Sequence, residues 1–366
     1  MTTPSDDTAT PSPLLSLPGA VATTPSAIAT GRTAWHYGGP LTEQRAAVQQ
    51  GTAVFDRSDR DLITVTGEPR LTWLHSLTTQ HLTSLKPHQG TETLILSPTG
   101  RVEHHMNVYD DGETTWLDTE PGRGEALLKY LQMMKFRTEV DIEDASADWA
   151  LFTWTFGESL EDAEPTVQPV PPAKFVQQEL LPVPTAVYPG APLDAAPGWT
   201  RRTDALGVRT YDVLEPREVF AEDFANVTPA EKGLAGTWAF DALRVAAGVP
   251  RFGIDTDEKT VPHEVPHWLS RAVHFNKGCY RGQETVAKVH HLGQSPRRLV
   301  MLHLDGSDEH PPATGTPVTL DGKEIGFIGT AVQHYEDGQI ALAVLKRSVA
   351  QNQEAKFLVD GQSASF

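Results

Sequence analysis

The chain has a single cysteine among 366 residues, and this scarcity excludes several kinds of protein. One thiol cannot close an intrachain disulfide, so nothing in the sequence points to an oxidising compartment. One thiol also falls short of the about four thiolates that an iron–sulfur cluster normally takes. If the chain handles such clusters, the other ligands must come from a partner, from a second copy or from groups other than thiols.

Long apolar runs are missing too, and no stretch approaches the length that would span a bilayer. Residues 1–33 are rich in Thr, Ser, Pro and Ala, and they lack the basic start and apolar core of a signal peptide. We therefore predict a disordered tail over residues 1–33 and a cytoplasmic protein without a membrane partner.

Positive charge is scarce as well, since 30 Lys and Arg stand against 48 Asp and Glu, for a formal net charge of −18. Nucleic-acid binding needs a basic face, so the composition argues against a nucleic-acid partner. The stretch from Val265 to Arg298 departs from this background, because its only acid is Glu284. It predicts a local site for a small anion, with a solvated basic surface as the simpler alternative. Its cations are Arg271, Lys277, Arg281, Lys288, Arg297 and Arg298.

The patterns along the chain predict an α+β fold. LITVTG (62–67) and ETLILSPTGRV (92–102) alternate like strands, whereas the stretch after Thr42, EPRLTWLHSLT (68–78) and GRGEALLKYLQMMKF (122–136) have helical spacing. Residues 161–198 are Pro-rich and predict a connector inside a core that spans residues 34–294. Over residues 295–366, alternation with DG turns predicts a separate antiparallel β-barrel.

HEVPH, from His263 to His267, matches the H-E-x-x-H pattern of zinc proteases. That pattern works only on a helix, where the two histidines share a face. Pro266 lies inside the pattern, and a proline in a helix interior costs about 3 kcal/mol. We therefore predict that the match is accidental and that the chain has no metal site there.

The stretch FNKGCYRGQE, from Phe275 to Glu284, surrounds the lone thiol of Cys279. Lys277 and Arg281 flank the thiol, and a predicted helix starts just after Gly282. Nearby cations and helix N-termini favour the reactive thiolate form. A small buried hydrophobe is the simpler alternative, but the polar surroundings favour a functional thiol. A cysteine-protease arrangement would also need an orienting histidine, for which several candidates exist.

KGCYRGQE resembles the K-G-C-Y-x-G-Q-E signature of the YgfZ family of folate-binding proteins, bacterial relatives of mitochondrial Iba57. Members of this family are implicated in the assembly or maintenance of iron–sulfur enzymes. The match is complete from Lys277 to Glu284, and VFDRSDRDLITVTG, LSPTGRV and DALRVAAGVPRFGIDTDEKTVPHEV also resemble the family. The resemblance extends from about Trp35 to the end of the chain.

The resemblance implies the fold of the glycine cleavage T-protein, a tetrahydrofolate-dependent aminomethyltransferase. In that fold, α+β lobes and a C-terminal β-barrel form a ring around a central folate channel. The resemblance implies that Cys279 is the key residue and that Lys277 tunes it. It also places the rest of the motif at the channel: Gly278, Tyr280, Arg281, Gly282, Gln283 and Glu284.

Two positions of the T-protein can be carried over to this chain. The glutamate that contacts the pterin corresponds to Asp212, next to Tyr211, and a carboxylate there can accept the paired N–H donors of a pterin. A solvent-facing residue on an alternating strand is the alternative. The catalytic aspartate corresponds to His104 or His105. The missing carboxylate argues against aminomethyl transfer but leaves folate binding possible.

Together these observations predict a factor that binds tetrahydrofolate, or a one-carbon derivative of it, and supports the assembly, maintenance or repair of iron–sulfur proteins. Its expected partners are folate and iron–sulfur client or assembly proteins. One alternative is a folate-dependent one-carbon transferase or demethylase in which His105 and Asp212 share the charge work. Another is a non-enzymatic adaptor whose C-terminal barrel docks a client.

Overall fold

The computed structural model describes residues 11–22, 25–26, 29–156, 187–194, 196–203, 206–225, 228–229, 233–292, 294–352 and 355–366. Within these ranges the chain forms an eleven-stranded sheet and a closed six-stranded barrel, with helices packed around them. This arrangement confirms the predicted α+β class and the predicted C-terminal antiparallel barrel.

The large sheet is antiparallel except for one pair of strands, since β1, its first strand along the chain, runs parallel to β11, its last. In spatial order it runs β11-β1-β7-β10-β9-β8-β3-β4-β5-β2-β6. Its strands are β1 Val54–Asp56, β2 Asp61–Thr66, β3 Gln89–Leu96, β4 Val102–Asp110, β5 Thr114–Thr119, β6 Asp141–Asp144, β7 Trp149–Phe156, β8 Tyr188–Pro192, β9 Trp199–Arg202, β10 Arg209–Pro216 and β11 Leu234–Ala235.

Eight α-helices lie within the described ranges. They are α1 Pro40–Arg45, α2 Arg70–Leu77, α3 Gly124–Lys135, α4 Arg217–Phe224, α5 Thr237–Ala246, α6 Pro266–Arg271, α7 Gln283–Leu292 and α8 Arg347–Ala350. None of these helices combines the length and the apolar character that a membrane crossing requires.

The first helix begins two residues before the predicted start at Thr42. Pro40 occupies the first helical position, where its missing N–H costs nothing and its fixed φ suits the helix. The side chain of Glu43 accepts the N–H groups of Tyr37 and Gly39. The carboxylate of Glu43 therefore holds the chain where it enters the helix.

The barrel is formed by β12 Arg297–Leu304, β13 Pro317–Leu320, β14 Lys323–His334, β15 Gly338–Lys346, β16 Phe357–Val359 and β17 Gln362–Ser365. Both faces of β15 are buried, so its sequence is a continuous apolar run. Alternate residues of this strand pack either inside the barrel or against the large sheet and its helices. This strand joins the barrel to the rest of the molecule.

Part of the predicted disordered tail is folded onto the core. Leu14 is buried in a cluster with Val54 and Phe152, and the N–H of Ser12 donates to the carbonyl of Arg32. The prediction of disorder is therefore wrong for residues 11–22, because Leu14 is buried in the core and backbone hydrogen bonds tie the segment to residues further along the chain. Residues 1–10 of this prediction lie outside the described residues.

The Pro-rich connector is also more regular than predicted at its end. Most of it lies outside the described residues, but Tyr188–Pro192 forms β8 between β3 and β9. Gly190 makes this pairing possible, because a Cβ there would come within 2.4 Å of the Thr200 carbonyl and 2.5 Å of the Tyr109 ring.

Candidate functional site

A cavity opens between the large sheet and helices α5 and α6, and it encloses about 610 Å³, part of which is open to solvent. Its lining is unusually rich in charge for a buried site. The ionisable residues that line it are Arg57, Arg60, Glu92, His105, Glu120, Asp212, Arg244, Arg251 and His267.

A chain of alternating charges runs along one wall of the cavity. The Nη2 of Arg201 lies 2.6 Å from Asp212 Oδ2 and 3.0 Å from Asp118 Oδ1. Arg60 then joins Asp118, at 2.8 Å, to Glu120, at 2.7 Å. Burying charges is costly unless they are paired, and in this row of charges each carboxylate is paired with a guanidinium. Asp212 is thus held in place by Arg201 and by a hydrogen bond from Thr153.

The pairing keeps these carboxylates ionised. Burial alone would raise the pKa of Asp118, but Arg201 and Arg60 lower it below its usual value. Burial would also raise the pKa of Glu120, but Arg251 and Arg60 hold that pKa well below its usual value. The network still has free hydrogen-bonding capacity. Within the described ranges, the buried Nη2 of Arg60 and the buried Nε and Nη1 of Arg201 have no partner.

Arg57 is a cation of the cavity wall that lacks a close counter-ion. Its guanidinium lies 3.8 Å from the centre of the Phe240 ring, and it makes no ion pair with any residue that the structure describes. Burial, followed by the nearby charge of Arg60, lowers the pKa of Arg57 to about 10. The side chain therefore remains charged at neutral pH and can receive an anion.

Glu92 is the centre of a second polar cluster in the cavity. Its Oε1 accepts a hydrogen bond of 2.5 Å from the Tyr188 hydroxyl, and its Oε2 lies 3.1 Å from His267 Nε2 and 3.3 Å from His105 Nε2. Burial would raise the pKa of Glu92, but His267 and His105 hold it well below the usual value. Sequence reasoning missed Glu92, although a single acid inside the apolar strand TETLIL was a usable signal.

The two histidines that correspond to the T-protein aspartate lie on opposite faces of β4. His105 lines the cavity and stacks on Trp268, with ring centres 5.1 Å apart. His104 packs on Tyr130, and burial, followed by the charges of Arg123 and Arg281, lowers its pKa to about 4. Only His105 therefore reaches the cavity, and Glu92 on the neighbouring strand provides a carboxylate next to it.

The cysteine motif lies outside the cavity. Cys279 is exposed, and Tyr280 is buried in the apolar cluster that also contains Trp268. Tyr211 alternates with Asp212 along β10 and points to the other face of the sheet. The expectation that the motif lines the cavity is not met. The described residues that line it do not include Tyr211, Lys277, Gly278, Cys279, Tyr280, Arg281, Gly282, Gln283 or Glu284.

Lys277 caps a helix. Its Nζ donates to the carbonyl oxygens of His75 and Thr78 at 2.5 Å and of Gln80 at 3.1 Å, just where α2 ends. Burial lowers the pKa of Lys277 to about 7, and donation to three carbonyls opposes that shift because only the ammonium has three donors. These contacts give Lys277 a structural role, and its predicted role in tuning Cys279 stays a prediction.

Arg281 links the motif to the cavity strand. Its Nη1 lies 3.0 Å from Glu103 Oε2, and Glu103 is two residues from His105 along β4. Arg281 is therefore already paired with an acid, which disfavours a role in holding a folate carboxylate. The motif and the cavity are nevertheless near each other, since two residues of a strand span only about 7 Å.

The predicted basic patch is not a single surface. Arg271 is buried and donates to the carbonyl of Thr203, and Lys277 is bound to carbonyls. Arg297 pairs with Asp257 at 2.6 Å and with Glu264 at 2.8 Å. These cations therefore do not form one basic surface, because Arg271 and Lys277 are bound to backbone carbonyls and Arg297 is paired with acids.

Gly282 fixes the path of the motif loop. Its φ is +80°, and a Cβ there would lie 2.5 Å from the carbonyl oxygen of Ser97. We expect Gly282→Ala to lower the free energy of unfolding by about 2–5 kcal/mol in urea titrations, because strain and overlap add. Gly248→Ala is the matched control, since its φ is +70° with nothing within 4 Å. Equal losses in the two variants would contradict this assignment.

The two histidines of HEVPH have different surroundings. His263 packs near Phe275 and His290, whereas His267 binds Glu92. Glu264, between them, pairs with Arg297. Over the part of the chain that the structure describes, no group of three or more His, Cys, Asp or Glu is placed to hold a metal ion.

Comparison with known proteins agrees with this architecture. The glycine cleavage aminomethyltransferase T of Bartonella henselae superposes with a TM-score of 0.74 over 95% of this chain and 92% of that protein, at 18% identity. That identity supports the fold alone. The family described as the CAF17 C-terminal β-barrel domain matches residues 297–365, which form the closed barrel.

The curated relatives include aminomethyltransferases and iron–sulfur cluster assembly factors. An aminomethyltransferase of a Nostoc species is 27% identical over 79% of this chain and 75% of its own length. An iron–sulfur cluster assembly factor IBA57 homologue, mitochondrial, of Neosartorya fischeri is 28% identical over 71% of this chain and 59% of its own length. Together with the barrel, these comparisons show that the chain has the glycine cleavage T-protein fold and that its sequence is similar to aminomethyltransferases and to IBA57 homologues, which supports the resemblance to YgfZ/IBA57-like proteins.

Proposed function

We propose that the chain is a tetrahydrofolate-binding factor that supports the assembly, maintenance or repair of iron–sulfur proteins. The observation that carries the proposal is the charged cavity, which Asp212 and the Glu92–His105 pair line in a fold shared with a glycine cleavage aminomethyltransferase. The resemblance of the sequence to folate-binding proteins implies folate as the ligand of that cavity. The exposed thiol of Cys279 lies outside that cavity. Folate binding and iron–sulfur chemistry would therefore use two neighbouring but separate sites.

The residues of the cavity fit a reduced folate. Each oxygen of Asp212 accepts one hydrogen bond, from Thr153 or Arg201, and a carboxylate oxygen has a second lone pair for a pterin N–H. The buried Nη2 of Arg60 has no partner among the described residues and can donate to a ligand carbonyl. Arg57 can bind one of the carboxylates of the folate tail. Bound tetrahydrofolate would supply nitrogens that carry one-carbon units.

The iron–sulfur part of the proposal rests on Cys279 and on the fungal relatives that are named assembly factors. A lone thiolate can provide one ligand to a cluster, and a partner must provide the others. Its exposure allows such a partner to approach. The predicted cytoplasmic location stays a prediction, and the fungal relatives are named as mitochondrial proteins.

A folate-dependent one-carbon reaction is the second candidate. It is favoured by Glu92, which puts a carboxylate beside His105. The sequence alone indicated that the catalytic carboxylate of the T-protein was missing at this position. Incubation with tetrahydrofolate and methylamine donors tests it, and the absence of any methylene-folate product would exclude it.

Titration of the purified chain with tetrahydrofolate under anaerobic conditions tests the folate site. We expect saturable binding of one molecule, weakened at least about 10-fold in Asp212→Asn, because the amide retains the shape but loses the charge-assisted acceptor. Asn276→Ala is the control, since Asn276 is exposed and lies outside the cavity. Failure of the wild-type chain to bind would refute the proposed site.

A further inference from the structure

Resting on the proposed folate site, we propose that the cavity selects tetrahydrofolate without a one-carbon unit and that His105 Nδ1 is the acceptor that makes the selection. Unloaded tetrahydrofolate carries hydrogen on both N5 and N10, whereas a folate substituted at N5 has lost the hydrogen there. The selection would therefore depend on whether the ligand can donate a hydrogen bond to one imidazole nitrogen.

The hydrogen bonds around Glu92 determine the tautomer of His105. Glu92 is ionised and can only accept, and the Tyr188 hydroxyl donates to its Oε1. His105 Nε2, at 3.3 Å from Glu92 Oε2, must therefore carry the hydrogen. In the neutral ring this leaves Nδ1 as a bare acceptor.

Nothing in the described protein satisfies that acceptor. His105 is 7% exposed and lines the cavity, and its buried Nδ1 has no hydrogen-bond partner among the residues that the structure describes. Stacking on Trp268 and the bond to Glu92 together restrict rotation of the ring. The site therefore presents an oriented acceptor that calls for an N–H or O–H group from a ligand.

The unpaired acceptor of His105 can distinguish reduced folates by whether they carry an N–H group. The inference places N5 of the bound folate against His105 Nδ1. One-carbon substitution at N5 replaces that N–H by an N–C bond, so the 5-substituted folate offers carbon where His105 requires a donor. A buried site that is built for a hydrogen bond strongly rejects an analogue that lacks it. We expect tetrahydrofolate to bind about 10- to 100-fold more tightly than its 5-methyl and 5-formyl derivatives.

Calorimetric titration of the full chain with these three folates, under anaerobic conditions, tests the inference. The expected result is a dissociation constant for tetrahydrofolate at least about 10-fold below those of the two derivatives. Equal dissociation constants would overturn the selection by His105 and leave the folate site intact. If none of the three binds, both the inference and the proposed folate site fail.

Two variants examine the acceptor itself. His105→Phe retains a ring against Trp268 but has no acceptor, so the preference should fall to less than about 3-fold. In Glu92→Gln the Tyr188 hydroxyl retains the carbonyl oxygen, and the amide nitrogen would donate to His105 Nε2 and shift the hydrogen to Nδ1. The preference should then reverse toward 5-formyltetrahydrofolate, whose formyl oxygen accepts.

Urea titrations would identify any variant that fails to fold. A folded His105→Phe protein that keeps the full preference would overturn the inference. So would a folded Glu92→Gln protein with an unchanged order of affinities, because the tautomer of His105 depends on Glu92.

Discussion

Replacing Arg201 with methionine is expected to lower the free energy of unfolding by about 3–5 kcal/mol, because breaking a buried ion pair strands its partner. Arg201 is fully buried and bridges Asp118 and Asp212. Asp118 retains its ion pair with Arg60, whereas Asp212 would lose the guanidinium and retain the hydrogen bond from Thr153. Urea denaturation followed by circular dichroism measures the loss.

Two further variants test whether the loss is due to the broken ion pairs. Arg101→Met removes an exposed arginine and should change stability by less than about 0.5 kcal/mol. The double variant Arg201→Met with Asp212→Asn should recover part of the loss, because it removes the stranded charge. A loss below about 1 kcal/mol in Arg201→Met, or no recovery in the double variant, would contradict the described charge network.

Replacing Cys279 with alanine is expected to reduce the activity of client iron–sulfur enzymes to the level of cells that lack this protein. The physical reason is that the chain has no second thiol that could replace the lost ligand. Because Cys279 is exposed, the free energy of unfolding should change by less than about 0.5 kcal/mol. The measurement compares an iron–sulfur enzyme with a metal-independent enzyme in the same cell extracts.

Cys279→Ser and Asn276→Ala are the controls for that experiment. Serine retains a polar side chain of similar size but is a poor ligand for iron, so it should behave like alanine. Asn276→Ala changes an exposed neighbour and should retain activity. Full client activity in a folded Cys279→Ala protein would remove the thiol from the proposed function.

Local patterns were sufficient to predict most of the elements. The helix after Gly282 and the alternating strands of the barrel depend on residues close together in sequence, so spacing and turn residues reveal them. The N-terminal segment was mispredicted because its fixation depends on contacts that are distant in sequence, such as that of Leu14 with Phe152. The composition of the segment does not reveal such contacts.

The site was harder to predict because its contacts are distant in sequence. Lys277 looked like a neighbour of Cys279, but its carbonyl partners lie about two hundred residues away. Glu92 and His105 come from adjacent strands, and Arg201 joins two carboxylates from other strands. Only the pairing of the sheet brings these charges together. The family resemblance indicated Asp212 and His105, which both line the cavity. It also placed the cysteine motif in the same site, whereas the motif lies outside the cavity.

The most direct measurement is a crystal structure of the chain with tetrahydrofolate bound. The proposed function predicts the pterin ring inside the cavity, within hydrogen-bonding distance of Asp212 and His105, while Cys279 remains exposed and free of the ligand. A folate bound against Cys279, or a cavity that stays empty at saturating folate, would contradict the two-site arrangement.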